Sequence, residues 1–414
     1  MVLCDVLPEL THDGRLLFLT RFTRLFSYGA LSVVLVFYLT GLGLSESRTG
    51  LLLTLTLLGD TVVSLCLTTQ ADRIGRRRIL IAGAFLMAGA GLTFACTSNL
   101  ALLTLACTIG VISPSGNEVG PFLPIEQAAL SQVTPSGVRT AVFAWYTLAG
   151  AIATAAGSLF AGLLTQTLQR AAMTPLESQR SIPVFYAAMG LLLAALFRNL
   201  SPDAEVRRHT ASPGVKNLLG IGSSRAIVLK LSSLFALDAF GGGFVVQSFA
   251  AYWFYLRFGV NPATLGGIFF GANVLAGFSA LAASRLASRF GLIRTMVFTH
   301  LPSNILLILV PLMPNLPLAI LTLLLRFSIS QMDVPTRQSY TMAIVRPEER
   351  SAAAGVMGVA RTTGAAIAPL AAGFLFARPS LMNLPFLIAG TLKIIYDLLL
   401  YRAFIGLPPR DEPL

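Results

Sequence analysis

The feature that most constrains this chain is the recurrence of long apolar runs. Twelve stretches, each at least about 20 residues long and most of them poor in charge, follow one another along the 414 residues. Only 12% of the residues are charged and the mean hydropathy is +0.76, so a soluble fold of this size has too few polar groups to cover its surface. The chain is therefore predicted to be an all-α integral membrane protein, because a spanning helix satisfies its own backbone hydrogen bonds.

Each span is predicted where an apolar run is long enough to cross a hydrocarbon core of about 30 Å. The spans are numbered one to twelve in chain order, and helix ends are expected to differ by a few residues from these ranges. The predicted ranges are 16–43, 48–69, 79–98, 101–132, 140–166, 181–199, 226–257, 263–285, 292–313, 317–344, 352–377 and 381–404.

Basic residues stand in the interruptions between these runs and account for the net charge of +12. They form no single stripe, so nucleic acid is not an expected partner. The turns after spans three and nine lack basic residues, whereas those after spans two, six and eight carry them, so both termini are predicted to be cytoplasmic. The expected location is the plasma (inner) membrane, with the lipid bilayer as partner.

A second pattern is an internal repeat of about half the chain length. Four short segments recur in the same order at nearly constant spacing. The chain is therefore predicted to form an N-terminal six-helix bundle at 1–197, a cytoplasmic linker at 198–225 and a C-terminal six-helix bundle at 226–414. The matched pairs are 43–50 with 259–266 and 72–78 with 288–294, both offset by 216, and 124–127 with 335–338 and 139–141 with 350–352, both offset by 211.

The loop after span two reads "TTQADRIGRRRIL" at 68–80, and it is similar to a motif of the major facilitator superfamily, G-x-x-x-D-R-x-G-R-R. Thr68 stands where that family has glycine. The resemblance implies a conformational latch, since charge-assisted hydrogen bonds at such a corner must break when two halves rock. An ordinary basic loop that sets topology is the alternative. The matching residues are Asp72, Arg73, Gly75, Arg76 and Arg77.

The resemblance covers essentially the whole chain. It implies twelve transmembrane helices in two pseudo-symmetric six-helix bundles, with spans one, four, seven and ten lining a central cavity. It also implies secondary active transport of a small-molecule substrate by alternating access. No G-x-x-x-x-G-K-[ST] motif for ATP occurs in the sequence.

Span five carries small residues in a pattern similar to the antiporter motif of that family, G-x-x-x-G-P-x-x-G-G. Gly157 and Gly162 match, and Ser158 takes the place of the proline. The resemblance points toward proton-coupled export of small organic compounds. Small residues at this spacing also let any two membrane helices pack closely, and this alternative is favoured for the motif itself.

Ionisable side chains inside the spans carry the most functional information, because each costs several kcal/mol unless it meets water or a partner. A carboxyl in mid-bilayer can load and release a proton, and an arginine there can bind an anion or an acid. The proton-coupling candidates are Glu118, Asp238 and Asp333, the substrate-binding or counter-ion candidates are Arg326, Arg361 and Asn117, and the gate candidates are Glu126, Arg139 and Arg337.

The fourth span holds "SPSGNEVGPFLPIEQ" at 113–127, which combines polar residues with Pro114, Pro121 and Pro124. Proline removes a backbone donor and obstructs the preceding helical turn. The sequence therefore predicts a weakened helix in span four, where a carrier bends or exposes backbone to a wet cavity.

Other charged residues receive structural explanations. Lys393 and Asp397 are four positions apart, which predicts an ion pair within span twelve. Arg21 and Arg24 are assigned to the cytoplasmic entry of span one, where long side chains reach the interface. For Asp60, helix packing and proton coupling are equally supported.

Proton-coupled export by a monomer is the leading expectation from these observations. A proton-coupled importer of a small anionic metabolite is the alternative, suggested by the intramembrane arginines, and a receptor that binds solute without transport is a remote one. An enzyme is not expected, because the three histidines are scattered and no metal site or cofactor motif is evident.

Overall fold

The structure is a computed structural model, and it describes residues 10–134, 139–205, 222, 224–346 and 349–407, without the side chains at 72, 73, 139–141, 203, 284 and 351. No strand occurs within these ranges. Short 3-10 turns accompany the α-helices at Pro202–Ala204, Val310–Leu312 and Pro379–Leu381. The α-helices are His12–Gly41, Glu46–Ile74, Arg76–Cys96, Leu100–Ile109, Phe122–Val133, Arg139–Arg170, Pro175–Phe197, Arg225–Gly243, Gln247–Phe258, Pro262–Phe290, Leu292–Leu309, Leu316–Ile329, Asp333–Ile344, Arg350–Phe376 and Leu384–Phe404.

Eleven helical stretches of the described chain are long and apolar enough to cross a membrane. Span four adds a twelfth crossing built from two shorter helices, Leu100–Ile109 and Phe122–Val133. Spans seven and ten are also interrupted, the former after Gly243 and the latter after Ile329. The predicted all-α fold with twelve transmembrane helices is confirmed.

Two glycines mark the short turns that follow spans two and eight. Gly75 has a φ of 110° and Gly291 a φ of 83°, a conformation that glycine adopts without a steric penalty. The two positions are separated by the offset of 216 found in the sequence repeat. The repeat is therefore visible in the backbone as well as in the sequence.

The chain divides into two compact units. The first unit comprises 1–210 together with 246–274, and the second comprises 211–245 with 275–414. The end of span seven and the beginning of span eight thus pack with the first six spans. The predicted linker at 198–225 lies mostly outside the described residues.

Close helix packing in the first unit depends on small residues. A Cβ added to Gly29 of span one would collide with the backbone of Thr154, and one added to Gly157 would collide with the backbone of Phe26. Gly162 contacts Gly266 of span eight in the same way. The favoured packing explanation of the span-five motif fits these contacts, because backbones at such distances leave no room for side chains.

The second unit packs span seven against spans eleven and twelve. A Cβ on Gly364 would meet the backbone of Ala236, and one on Gly243 would meet that of Ala365. A buried apolar cluster forms the core of this unit. Large apolar side chains are exposed on the outer faces of the spans, as a lipid environment requires. The cluster includes Val228, Leu231, Phe235, Met296, Tyr340, Met357, Tyr396 and Leu400.

Candidate functional site

Span four is interrupted between Gly110 and Pro121, as its prolines predicted. An interruption inside a membrane frees backbone groups that must find other partners. Here the Tyr186 hydroxyl donates to the carbonyl of Val111 at 2.7 Å, and the Tyr28 hydroxyl donates to that of Val119 at 3.3 Å. Side chains of spans one and six therefore replace helical hydrogen bonds.

Three further contacts complete the support of this segment. The Thr154 hydroxyl donates to the carbonyl of Gly116 at 3.3 Å, and the Ser248 N–H donates to that of Pro114 at 3.2 Å. The Gly120 N–H donates to a carboxylate oxygen of Asp60 at 2.6 Å. The interrupted segment is thus bound by residues from five spans, all within the first unit. Its position is fixed although it is not helical.

A buried ion cluster lies next to this segment, and we call Arg21, Arg24, Glu118 and Glu126 the first-unit cluster. Arg24 has an exposed fraction of 0%. Its guanidinium donates to both oxygens of Glu126 at 2.7 and 2.8 Å, and to Glu118 at 3.0 to 3.2 Å. Arg21 forms an ion pair with Glu118 at 2.8 Å, although without hydrogen-bond alignment.

The assignment of Arg21 and Arg24 to interface snorkelling is therefore wrong. Span one begins at His12, and Arg24 lies twelve positions further, about 18 Å along the helix. Both arginines also lie over aromatic rings: Arg21 is 4.2 Å from the centroid of Tyr146, and Arg24 is 4.7 Å from that of Phe122. The cations that pair with Glu118 come from its own unit.

Glu126 is the most enclosed acid of the first-unit cluster, with an exposed fraction of 0%. Besides Arg24, it accepts a hydrogen bond from the hydroxyl of Thr20 at 2.9 Å and from that of Tyr146 at 2.5 Å. Such complete pairing is what a buried carboxylate needs. Glu118 and Asn117 are more open, and the Asn117 side chain is exposed.

A second cluster lies in the second unit, centred on Asp238 of span seven. Lys393 donates to Asp238 at 2.5 Å, and Arg337 donates to it at 3.3 Å. Arg337 also binds Asp333, one turn away, at 3.0 Å. We call Asp238, His300, Asp333, Arg337, Lys393 and Asp397 the second-unit cluster.

The predicted ion pair between Lys393 and Asp397 is wrong. Lys393 binds Asp238 instead, and Asp397 accepts a hydrogen bond from the amide of Asn304 at 2.9 Å. His300 of span nine lies with Nδ1 2.8 Å from Asp397 and Nε2 3.8 Å from Asp238. Both ring nitrogens therefore face carboxylate oxygens, and His300 belongs to the polar cluster as well as to the packing of span nine.

Arg326 and Arg361 have a different environment. Each is partly exposed, and in the described part of the chain no carboxylate oxygen lies within 4 Å of either guanidinium. The Nε atom of each is buried without a hydrogen-bond partner. Both guanidinium groups interact with Asp238 and Asp333 over a longer range. They carry positive charge that the second-unit cluster does not neutralise by contact.

The loop that resembles the latch motif is bound by Glu205, an acid that the sequence did not point to. Glu205 accepts hydrogen bonds from the backbone N–H groups of Arg76 at 2.8 Å and Arg77 at 3.0 Å, at the start of span three. An acid at a helix N-terminus satisfies free donors and complements the helix dipole. Gly75 forms the turn, whereas the side chains of Asp72, Arg73 and Arg139 lie outside the described residues.

The second unit contains a comparable acid. Glu349 accepts hydrogen bonds from the N–H groups of Gly222 and Ser224, both at 3.0 Å, just before span seven. Sequence reasoning missed both acids because each stands in a polar loop where a carboxylate has no distinctive context. Among the residues that the structure describes, no group of three or more histidine, cysteine or acidic side chains is arranged to hold a metal ion.

A twelve-span fold with interrupted helices and buried ion clusters defines a polytopic membrane transporter. The family model described as Major Facilitator Superfamily matches residues 17–332 and 231–414. The chain belongs to that superfamily, and its transport function follows from this membership. It is an integral multi-pass membrane protein.

Individual relatives agree with this assignment. The chain is 31% identical over 430 residues to the uncharacterized membrane protein YJR124C of Saccharomyces cerevisiae, with 96% of this chain and 95% of that protein covered. Among solved structures, it resembles a bacterial homolog of the human lysosomal transporter Spinster in an inward-facing, unoccupied conformation, with a TM-score of 0.71, 15% identity and coverage of 95% and 96%. It also resembles a D-xylose-proton symporter, with a TM-score of 0.71, 14% identity and coverage of 97% and 99%. These two likenesses show the fold.

Proposed function

We propose that the protein carries a small organic anion across the membrane by alternating access, and that Arg326 and Arg361 bind the anion. One observation carries this proposal: both guanidinium groups lie within spans and lack a carboxylate within ion-pair distance in the described chain. A cation inside a membrane protein is costly unless it is paired or wetted. An anionic substrate supplies the missing charge.

The chemistry of arginine supports an anion of a particular kind. A guanidinium presents five N–H donors in a planar fork that matches the oxygens of a carboxylate or phosphate. We therefore propose that the substrate bears such a group. Asn117, whose side chain is exposed beside Glu118, is proposed to contact a polar part of the substrate.

Proton coupling is proposed through Glu118, Asp238 and Asp333. Each of these acids is bound by an arginine or lysine in the structure, and a cation favours the ionised carboxylate. A substrate anion that competes for Arg337 would free Asp333 or Asp238 to accept a proton. Proton and anion would then bind together and move in the same direction, which favours uptake with a proton.

Proton-coupled export, the leading expectation from the sequence, stays a prediction. The span-five motif that suggested it has a packing explanation, since Gly157 and Gly162 lie against neighbouring backbones. Cytoplasmic termini, a plasma (inner) membrane location, a monomeric state and the latch and gate roles of Asp72, Arg73, Arg76, Arg77, Glu126 and Arg139 are parts of the same proposal. The basic turns after spans two and eight support the orientation.

Reconstituted liposomes test the proposed function. Wild type is tested with radiolabelled benzoate, succinate and glycerol phosphate, and with glycerol and tetraethylammonium as neutral and cationic comparators, under a proton gradient of either direction. We expect flux of at least one anion, reduced about tenfold or more in Arg326→Gln and Arg361→Gln, because a binding charge is lost. Arg378→Gln, at an exposed position of the same unit, is the matched control.

Two results would contradict the proposal. If only glycerol or tetraethylammonium is transported, the substrate is not an anion. If anion flux is equal in wild type, Arg326→Gln and Arg361→Gln, these residues do not bind it. If the anion instead accumulates on the side from which protons leave, proton and anion move in opposite directions, and export replaces uptake in the proposal.

A further inference from the structure

Asp60 of span two differs from the carboxylates of the two ion clusters. Glu118, Glu126, Asp238 and Asp333 are all bound by an arginine or lysine, and Asp397 is bound by His300. Asp60 has an exposed fraction of 9%, and no basic side chain of the described residues lies within 4 Å of it. Its negative charge is therefore not neutralised by an ion pair.

The contacts of Asp60 are hydrogen-bond donors. The Gly120 N–H donates to Oδ1 at 2.6 Å, and the Ser64 hydroxyl lies 3.4 Å from the same oxygen, one turn along span two. The titratable groups that face it from other spans are the phenols of Tyr28 and Tyr186. The carboxylate thus meets hydrogen-bond donors and no cation of the described chain, and a bound proton would neutralise its charge.

Asp60 lies where its charge can affect how span two binds the interrupted segment of span four. Gly120 lies in the interruption of span four, two positions after Glu118, with a φ of 79°. The neighbouring Gly59 lies against the backbone of Thr108, where a Cβ would collide, so span two is held close to the first part of span four. Asp60 therefore links a fixed helix to a non-helical segment that carries Glu118.

We propose that Asp60 is a proton-binding residue whose protonation loosens the hold of span two on the interrupted segment of span four. As a carboxylate, it holds Gly120 through a charge-assisted hydrogen bond. When a proton from water binds to a carboxylate oxygen, the charge disappears and the remaining hydrogen bond is a weaker, neutral one. The segment at 110–121, and Glu118 within it, is then freer to move.

This proposal adds a proton carrier to the proposed function, and its role in coupling rests on that function. An unpaired carboxylate in apolar surroundings accepts a proton more readily than one held by a guanidinium, because a nearby cation favours the ionised form. Asp60 can thus respond to pH without an ion pair having to open first. Glu118, in contrast, is bound by both Arg21 and Arg24.

A purely structural role makes a different prediction. If Asp60 serves only as an acceptor for the Gly120 N–H, asparagine serves as well, because its side-chain oxygen accepts the same hydrogen bond. Asparagine does not titrate. Asp60→Asn therefore separates the two roles, and Asp60→Glu, which titrates, is the conservative variant that should restore pH dependence.

Hydrogen–deuterium exchange of the full chain in liposomes of phosphatidylcholine and phosphatidylglycerol provides the test, without any solute. At each pH from about 8 to about 5, the exchange rate of peptides covering 110–121 is divided by the intrinsic exchange rate at that pH. In wild type we expect the normalised exchange to rise about fivefold as the pH falls, the change that replaces a charge-assisted with a neutral hydrogen bond. Asp60→Asn should show one rate throughout, and Asp60→Glu should regain the dependence.

The matched control is Asp13→Asn, since Asp13 also accepts a backbone N–H, that of Ser201 at 3.1 Å, outside the interrupted segment. It should keep the wild-type response at 110–121. A flat wild-type profile, or a pH response that persists in Asp60→Asn, would overturn the proposal. If Asp60→Asn fails to fold, the wild-type and Asp60→Glu profiles decide the question alone. Flat profiles in both proteins would reject the proposal.

Transport by the same liposomes separates this proposal from the proposed function. For any panel anion that wild type accumulates, Asp60→Asn should retain downhill exchange but lose accumulation driven by the proton gradient. Full accumulation in Asp60→Asn would remove Asp60 from the coupling. Absence of anion flux in wild type would reject the proposed function, whereas the exchange profile would still decide whether Asp60 binds a proton.

Discussion

The two units of the molecule differ in how their buried charges balance. In the first-unit cluster two arginines meet two glutamates, and every charge has a partner. In the second unit, four lysine or arginine side chains lie in or beside a cluster with three carboxylates, and no carboxylate oxygen of the described chain lies within 4 Å of the guanidinium groups of Arg326 and Arg361. The charges of the first-unit cluster are therefore compensated by contact, whereas part of the positive charge in the second unit is not.

The repeat makes this difference instructive. Glu126 and Arg337 occupy matching positions, 211 residues apart, and each belongs to the ion cluster of its unit. The sign of the charge is inverted between them. The two halves thus preserve the place of a buried ion but not its charge, so related backbones support two clusters of different charge balance.

The largest loss of stability is expected from Arg24→Gln. Removing this buried cation leaves Glu126 enclosed and unpaired, and breaking a buried ion pair in this way costs about 3–5 kcal/mol. Thermal unfolding of the purified protein in detergent, followed by tryptophan fluorescence, measures the loss. Arg48→Gln at the exposed start of span two is the control. Equal stability of the two variants would show that the first-unit cluster is not structural.

A smaller loss of stability, of the same size in both variants, is expected from Glu205→Gln and Glu349→Gln. Each acid binds two N–H groups near a helix start, a contribution of about 1 kcal/mol at a partly exposed site. Hydrogen exchange of the first turns of spans three and seven measures each contact separately. A large difference between the two variants would mean that the units differ in their loops as well as in their ion clusters.

The smallest effect on stability is expected from Arg361→Gln, the variant that should reduce anion flux. Because Arg361 has no close acidic partner in the described chain, its removal leaves no carboxylate unpaired, and the change should stay within about 1 kcal/mol. Thermal unfolding beside Arg24→Gln provides the comparison. A loss as large as that of Arg24→Gln would show that Arg361 is a structural counter-ion rather than a binding residue.

Much of the fold follows from the sequence, because hydropathy determines which segments enter the bilayer and the prolines of span four locate its interruption. The partners of the charges do not follow. Hydropathy gives depth along a helix but not the direction in which a side chain points, so Arg24 was placed at the interface rather than beside Glu126. The spacing of Lys393 and Asp397 suggested a local pair, but Asp238 of another helix offered Lys393 a better one.

The interrupted segment of span four also has a consequence for how the protein is made. Its carbonyl groups at Val111, Gly116 and Pro114 receive hydrogen bonds from Tyr186, Thr154 and Ser248, which are all synthesised later. An unpaired backbone group in lipid costs several kcal/mol, so the interruption cannot be stable in the bilayer before spans five to seven have been inserted. The non-helical segment of span four therefore forms late in assembly, after spans five to seven have been synthesised and have packed against it.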